Sequence, residues 1–408
     1  MQTQQTALKE VINRLQAPKD VMHFAEHFYK FAALEELTNW SEDAFYGATL
    51  STWKFLQNFN SNTPKIRLFN PDINLDGWQS PHTFIQILNT DMPLLVDSLR
   101  LLINRRHLTL HSLHNAIFAV QRSGEGELER LTAASEETSQ KTESLILIEV
   151  EAITDEQERN QIQEELLAAL DEVRLAVTDF TAMQNQALAI SKQLKAAAEA
   201  QVQLGDELVS LNEASDFFSW IADKHFIFLG YDEYRLEEKD QQQHLCKLAG
   251  SELGLLKLDD SLTSPCTPLS SITTDLLTFA KASRLARVHR AAFPDEIIVQ
   301  TFDATGKVTG EKRFVGLYTS AVYNKIPQDI PVLRKKVTSV VKSIGMQPRS
   351  HNGRQLLQIL DSYPRDDLFQ IGLEELTSTA LGIFKTQNTC FYSPRSAKQT
   401  LFRIGLPA

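Results

Sequence analysis

The fold class is decided by residues 83–106, which read TFIQILNTDMPLLVDSLRLLINRR. The first seven residues are mostly large and apolar, as expected of a buried strand. From Leu94 onward the apolar residues recur at helical spacing. Pro93 suits a first helical turn, where the missing N–H would have no partner. The stretch therefore predicts a strand that leads through a short loop directly into a helix.

Further elements are predicted on both sides of this unit. Residues 7–37 and 41–58 have helical periodicity, and Ser41 is expected to cap the second helix. Three more segments are rich in strand-forming residues: KIRLFN from Lys65, residues 108–121 and residues 144–153. The glycine- and glutamate-rich stretch before about residue 142 predicts a loop.

A long helix is predicted from Asp155 to about Leu211, ending near Gly205. Its apolar residues step by three and four, which favours a helix packed on a core over a coiled coil. Beyond it, EIIVQTFD and KRFVGLYTS flank residues 304–307 as a hairpin. Helices are expected again after Pro331. Strands and helices in this order predict an α+β fold, and no internal repeat is evident.

Composition excludes several classes of protein. The 408 residues carry a net charge of −11, which argues against nucleic acid or an anionic membrane as the main partner. No apolar run reaches the length of a membrane span, and the first residues lack a secretory signal pattern. Cys246, Cys266 and Cys390 fit neither a CxxC metal site nor a disulfide framework, so a reducing, cytoplasmic compartment is expected.

Motifs for catalysis and metal binding are weak. His23, Glu26 and His27 have the HxxEH spacing of inverted zinc peptidases, but the same segment carries the apolar stripe Phe24, Phe28 and Phe31, which a packing helix explains. On a strand, His107 and His111 would share a face and His114 would point the other way, so solvent-facing histidines are the default. We expect no bound metal.

A dinucleotide site needs a G-x-G-x-x-G loop between a strand and a helix. The match that comes nearest, Gly124-Glu125-Gly126, has Glu129 at the third glycine position and lies in an acidic segment. No P-loop or GxSxG motif is present either. The sequence thus predicts no catalytic and no cofactor-binding residue in this chain.

The densest basic cluster comprises Arg284, Arg287, His289 and Arg290, just before a predicted strand. Arginine forks match carboxylates and phosphates, so Arg287, His289 and Arg290 are candidates for anion binding. Basic residues beside an edge strand also serve to keep that edge soluble. Both interpretations stay open.

Three long phrases resemble one family. Residues 69–106 are similar to the first ACT-type domain of the large bacterial NAD-specific glutamate dehydrogenases. Residues 287–324 resemble a later part of the same region, as does the stretch from Pro331 through residues 350–353 to YPRDDLFQI. The resemblance covers roughly residues 20–380 and weakens after about Ile383.

The resemblance implies a domain order. It is an N-terminal helical segment (1–60), an ACT-type, ferredoxin-like domain (65–185), a helical linker (186–211), a PAS-like α+β domain (212–385) and a tail or start of a further domain (386–408). The fourth strand of the ACT-type sheet must come from residues 65–70 or elsewhere. Family members are several times longer, so we expect either a fragment or a reading frame that ends early.

ACT domains usually carry the phrase Asp-x-Pro-Gly-Leu-Leu, whose glycine lets a carboxylate approach the helix N-terminus. Here Asp91, Pro93 and Leu95 match, but Leu94 stands at the glycine position. Asp91, Met92 and Leu94 are therefore the candidate effector-binding residues. We expect Leu94 to crowd such a pocket and to fill the core or a domain contact.

The resemblance implies a regulatory and assembly region of an enzyme that oxidises L-glutamate to 2-oxoglutarate and ammonium with NAD. The catalytic segment would be absent from this chain, which would be inactive alone. Its expected partners are the remainder of the dehydrogenase chain, further copies in a homo-oligomer and a small amino-acid effector. The alternatives are a stand-alone ACT/PAS-type sensing or interaction protein and, third, a zinc hydrolase using His23, Glu26 and His27.

Overall fold

The chain forms two compact units. In this computed structural model, residues 9–60, 63–133, 141–200, 202, 210–239, 242–258, 266–268 and 275–390 are described. The first unit comprises residues 1–177 and 286–291, and the second comprises residues 178–285 and 292–408. The segment 286–291 thus groups with the first unit, although the residues on both sides of it group with the second.

The first unit opens with short helices rather than one long one. Residues 9–13 are helical, followed by α1 (Lys19–Phe28), α2 (Leu34–Thr38) and α3 (Glu42–Leu56). The single helical stretch predicted for residues 7–37 is wrong, because Gln16 has a φ of 46° and Pro18 precedes the first turn of α1. Proline cannot occupy a helix interior without loss of a hydrogen bond. The cap on α3 is confirmed, since Ala44 N donates to Ser41 Oγ over 3.2 Å.

A five-stranded antiparallel sheet follows. Its strands are β1 (Lys65–Phe69), β2 (Thr83–Thr90), β3 (Leu110–Arg122), β4 (Leu128–Ala133) and β5 (Thr142–Val150). They lie in the order β1-β2-β5-β3-β4. The four predicted strands are confirmed, but β4 lies in the stretch predicted as a loop. Leu128 and Leu131 pack against the core there, and pairing with β3 overrides the polar composition.

Helix α4 (Leu95–Arg105) connects β2 to β3. Strand β5 lies between those two strands, so β2, α4 and β3 form the split β-α-β unit of ferredoxin-like folds. Strand β1 takes the edge beside β2, so residues 65–69 do supply the additional strand. Phe84, Leu145 and Phe118 pack with the N-terminal helices, while Ile85 and Ile87 on the opposite face are also buried. Both faces of the sheet are therefore covered.

The long helix α5 (Glu156–Glu199) ends about a dozen residues earlier than predicted. Gly205, its predicted end, lies outside the described residues. One stripe of the helix is fully or almost fully buried: Ile162, Leu166, Leu170 and Val173. The predicted packing helix is confirmed over the coiled coil.

The second unit is built on a seven-stranded antiparallel sheet. Its strands are β6 (Phe226–Lys239), β7 (Gln242–Lys247), β8 (Leu253–Gly254), β9 (Cys266–Pro268), β10 (Leu277–Lys281), β11 (Asp295–Phe302) and β12 (Val308–Tyr318). Six follow the order β10-β11-β12-β6-β7-β9, and β8 pairs with β6. The predicted hairpin is β11–β12. Asp303 Oδ1 accepts hydrogen bonds from Thr305 N and Lys307 N in its turn.

In the part of this unit that the structure describes, six α-helices accompany the end of α5. They are α6 (Leu211–Trp220), α7 (Ser320–Tyr323), α8 (Leu333–Ile344), α9 (His351–Asp361), α10 (Arg365–Gln370) and α11 (Leu373–Cys390). Phe217, Phe314 and Phe369 stand in one core with residues of α8, α9 and α11. The helices predicted after Pro331 are confirmed.

The cysteines depart from the sequence expectation. Cys246 and Cys266 are joined by a disulfide between β7 and β9, so the inference that the cysteines form no disulfide is wrong. The strand register places the two residues directly opposite each other, a proximity that a separation of 20 residues does not reveal. None of the helices in the described part of the chain is long and apolar enough to cross a membrane.

Candidate functional site at the first turn of α4

The loop between β2 and α4 carries the candidate effector residues. Asp91 N donates to Thr142 O over 3.0 Å, which ties the loop to β5. Asp91 and Met92 are half-buried, and Pro93 is exposed. Burial raises the pKa of the Asp91 carboxyl, while a hydrogen bond from the Met92 N–H opposes that rise. The carboxylate is thus a partly desolvated group beside a helix N-terminus.

Leu94 has a left-handed backbone, with φ 70° and ψ −1°. This is the conformation that a glycine would adopt without steric cost. The Leu94 carbonyl accepts hydrogen bonds from Ser98 N over 3.1 Å and from Ser98 Oγ over 2.7 Å. Its side chain is only half-buried, whereas the next residue, Leu95, is 3% exposed. Leu94 therefore does not fill the core, a position that Leu95 takes, and the alternative expectation of a domain contact stays a prediction.

The basic candidates meet the same turn. His289 N donates to Ser98 Oγ over 3.0 Å, and His289 Nδ1 donates to Asp97 Oδ2 over 3.1 Å. Val288 beside it is completely buried. Two groups of residues nearly 200 positions apart in the sequence are therefore joined through Ser98, all within the first unit.

One arginine of the basic cluster faces a carboxylate of the same unit. Arg287 forms an ion pair with Glu172, whose pKa is raised by burial and lowered in turn by Arg287. Arg290 is half-buried, and its N–H donates to Val288 O. An incoming anion at Arg287 would have to compete with Glu172. Nearby, a cavity of about 310 Å³ is lined by Arg105, Arg106, Glu165, Arg287 and apolar residues of α4 and α5.

The HxxEH segment lies on α1. His27 Nδ1 donates to His23 O over 3.0 Å, which occupies one ring nitrogen. Phe24 and Phe28 are buried in the core, as the packing helix predicts, but Phe31 is 85% exposed because α1 ends before it. Across the described residues, His23, Glu26 and His27 belong to no cluster of three metal-ligand side chains.

The later histidines do not share the predicted orientations. The register of β3 shifts between Leu110 and Ser112, so His111 lies on a bulge. His114 is buried, at 3% exposure, whereas His111 is exposed, so the default of a solvent-facing side chain is wrong for His114. His107 is not on the strand at all, and its φ of 56° belongs to a turn.

His114 is enclosed by aromatic rings, with centroids of Tyr29 and Trp40 at 5.2 and 5.7 Å. Neither ring nitrogen has a hydrogen-bond partner among the described residues, and Glu36 Oε2 lies 3.9 Å from Nδ1. Burial lowers the pKa of His114 to about 4. The imidazole is therefore neutral at pH 7.

Sequence patterns also missed the buried carboxylate near His114. Glu149, on β5, accepts hydrogen bonds from Trp40 Nε1, His82 Nδ1 and Ser112 Oγ over 2.8, 2.7 and 3.0 Å. Two of these donors lie in separate loops and the third lies on β3, so they are far apart in the sequence and form no recognisable motif. Three hydrogen bonds hold this buried carboxylate in one position.

Comparisons with known proteins agree with this architecture. Residues 24–166 match the family model of the glutamate dehydrogenase ACT1 domain, and residues 330–389 match that of glutamate dehydrogenase helical motif 1. The chain is 45% identical to the NAD-specific glutamate dehydrogenase of Halomonas elongata and 37% identical to that of Pseudomonas aeruginosa, over 92% and 94% of its own length. The Mycobacterium tuberculosis protein of the same name is 24% identical over 73% of the chain.

In the first two relatives the matched region is 24% of the whole protein, and in the third it is 18%. Two matched domains and the identity along almost the entire chain lead to one conclusion. This chain belongs to the NAD-specific glutamate dehydrogenase family and spans about a quarter of the length of its curated relatives.

Proposed function

We propose that this chain is a regulatory and assembly region of an NAD-specific glutamate dehydrogenase. The whole enzyme would convert L-glutamate, NAD and water to 2-oxoglutarate, ammonium and NADH. The match of residues 24–166 to the ACT1 domain carries the proposal. The sequence lacks the glycine loop that holds a dinucleotide pyrophosphate, so NAD would serve segments outside this chain.

The second unit would be a PAS-like sensing domain over residues 212–385. An antiparallel sheet with helices packed against residues of its central strands supports this assignment. A cleft of about 710 Å³ between the end of α5 and strands β6, β11 and β12 adds to it. Mixed polar and apolar walls of this kind suit a small ligand.

The effector of the first unit would be a small amino acid bound near Asp91, Met92 and Leu94. Arg287, His289 and Arg290 would act either as an anion site or as structural partners of Asp97 and Glu172. We further propose a homo-oligomer assembled with the remainder of the dehydrogenase. We also propose a cytoplasmic location.

The test compares effector responses in the longer dehydrogenase. Ser98→Ala breaks the hydrogen bonds that join Leu94 and His289, and Thr338→Ala, on the exposed face of α8, is the matched control. We expect Ser98→Ala to change the ratio of rates with and without amino-acid effectors, or the oligomer size by light scattering, and the control to change neither. An unaltered ratio and size in a folded Ser98→Ala enzyme would contradict a regulatory role for this turn.

A second candidate is a stand-alone small-molecule sensor, which the cleft in the second unit favours. The two differ in how the chain behaves with the rest of the dehydrogenase. A regulatory region should co-purify with the remaining dehydrogenase segments when these are expressed together. A stand-alone sensor should not.

A further inference from the structure

The disulfide joins two strands at one side of the second sheet. Cys246 lies on β7 and Cys266 on β9, directly opposite each other. Neither cysteine is among the residues that form the large hydrophobic core of this unit. The bond therefore crosslinks the outermost strand β9 to its neighbour β7.

The two sulfurs have different surroundings. Cys246 is 4% exposed, whereas Cys266 is half-buried. Lys239 Nζ donates to Cys266 Sγ over 2.8 Å. An ammonium group at this distance stabilises a thiolate and makes a good nucleophile or leaving group of that sulfur.

Other charged groups share this face of the sheet. A Glu237 carboxylate oxygen lies within 4.8 Å of both sulfurs, and Glu237 pairs with Lys239 over 3.5 Å. Arg235 and His244 stand opposite Cys246 and Glu237 in the strand register. Glu237 opposes a thiolate, but Lys239 is in direct contact with Cys266 and has the larger effect on it. Among the described residues, the hydrogen bond from an ammonium group is found at Cys266 and not at Cys246.

We propose that Cys246 and Cys266 form a reversible thiol–disulfide modification site, with Cys266 as the exchanging cysteine and Cys246 as the resolving one. The oxidant is a low-molecular-weight disulfide of the glutathione type. This inference is independent of the proposed function, because it rests on two side chains and their neighbours.

The reaction proceeds in two exchanges. The Cys266 thiolate attacks one sulfur of glutathione disulfide, whose S–S bond breaks, and a glutathione thiolate leaves with the electron pair. Cys246 then releases its proton to water, and its thiolate attacks Cys266 Sγ and expels the second glutathione. Two protein thiols are oxidised to one disulfide, and one glutathione disulfide is reduced to two thiols.

Purified wild-type chain incubated in glutathione buffers of increasing oxidised fraction tests the proposal. Free thiols are blocked with N-ethylmaleimide, and peptides are analysed by mass spectrometry. We expect a linked Cys246–Cys266 peptide that appears as the oxidised fraction rises and disappears when it falls. Both cysteines recovered as blocked thiols at every ratio would overturn the proposal.

Single variants test the order of events. Cys246→Ser should accumulate one glutathionyl group on Cys266, and Cys266→Ser should accumulate far less on Cys246. Circular dichroism checks that both variants are folded. Equal labelling of the two folded variants, or preferential labelling of Cys246, would refute the assignment of Cys266.

Lys239→Met tests the source of reactivity. A neighbouring ammonium raises the fraction of the thiol that is ionised more than it lowers the nucleophilicity of the thiolate, because nucleophilicity changes with less than half the logarithmic slope. Removing the ammonium should therefore slow mixed-disulfide formation on Cys266 in the Cys246→Ser background. Lys342→Met, at an exposed position on α8, is the matched control. Equal rates for the two lysine variants would contradict the role of Lys239.

Discussion

Replacement of Leu94 by glycine separates the backbone requirement of the α4 turn from its side-chain packing. Leu94 holds a φ of 70°, which costs a residue with a Cβ about 1–2 kcal/mol and costs glycine nothing. Against this gain, half of a leucine's burial is worth about 1 kcal/mol, and the greater freedom of glycine in the unfolded chain costs about 0.5–1 kcal/mol. The contributions nearly cancel, so Leu94→Gly should change the free energy of unfolding by less than about 1 kcal/mol.

Two neighbouring substitutions provide the contrast. Leu94→Val places a β-branched side chain in the same left-handed conformation, and a strain of about 1–3 kcal/mol is typical of such residues. Leu95→Ala removes a side chain that is 3% exposed, for which a loss of about 2–5 kcal/mol is expected. The predicted order of stability is therefore wild type and Leu94→Gly together, then Leu94→Val, then Leu95→Ala.

Urea unfolding monitored by tryptophan fluorescence measures this order. Trp40, Trp53 and Trp78 belong to the first unit and only Trp220 to the second, so the signal reports mainly on the unit that contains α4. A loss of more than about 2 kcal/mol in Leu94→Gly, with Leu94→Val unaffected, would refute the reasoning. It would mean that side-chain packing outweighs backbone conformation at this turn.

Three further predictions concern other buried groups. The pKa of His114 falls from 6.5 to about 4 on folding, so between these values the unfolded chain binds the proton more readily and the folded state loses stability as the pH falls. Between pH 7 and pH 5 this histidine should lower the free energy of unfolding by about 2 kcal/mol. Urea unfolding should therefore show a smaller loss of stability over this pH range in His114→Phe than in the wild type. Lys336 Nζ donates to the carbonyls of Leu368, Phe369 and Ile371, so Lys336→Met should destabilise the second unit by about 3 kcal/mol in calorimetry, and an unchanged melting profile would contradict this. Gly254 has a φ of 61° and an added Cβ would meet Leu229 O at 2.3 Å, so Gly254→Ala should lower the yield of folded chain, whereas Gly250→Ala, with a similar φ but open space around it, should be milder.

Most elements of the first unit follow from local patterns. The strand-to-helix stretch at residues 83–106 has both periodicities and proline at the boundary, and the structure has β2 and α4 there. Strand β4 could not be predicted in the same way, because its polar residues pair with β3 through contacts that the local sequence does not show. The bulge at His111 is a similar case. The burial of His114 was missed as well, because solvent exposure is the default for a histidine on a strand.

The site was predictable only in pieces. The match to the ACT-domain sequence pattern identified Asp91, Met92 and Leu94. The local concentration of basic residues in the sequence identified Arg287 and His289. Their meeting through Ser98 depends on a segment that groups with the first unit from a distant part of the chain. The left-handed backbone conformation of Leu94 is one that glycine adopts readily and leucine rarely. It follows from the geometry of the loop and could not be predicted from the residue type.

We propose that this chain regulates or assembles a dehydrogenase and does not itself transfer hydride. NADH formation by the purified chain with saturating L-glutamate and NAD, followed by absorbance against a heat-denatured sample, tests it most directly. We expect no rate above that of the denatured sample. Sustained, glutamate-dependent formation of NADH by the chain alone would contradict it.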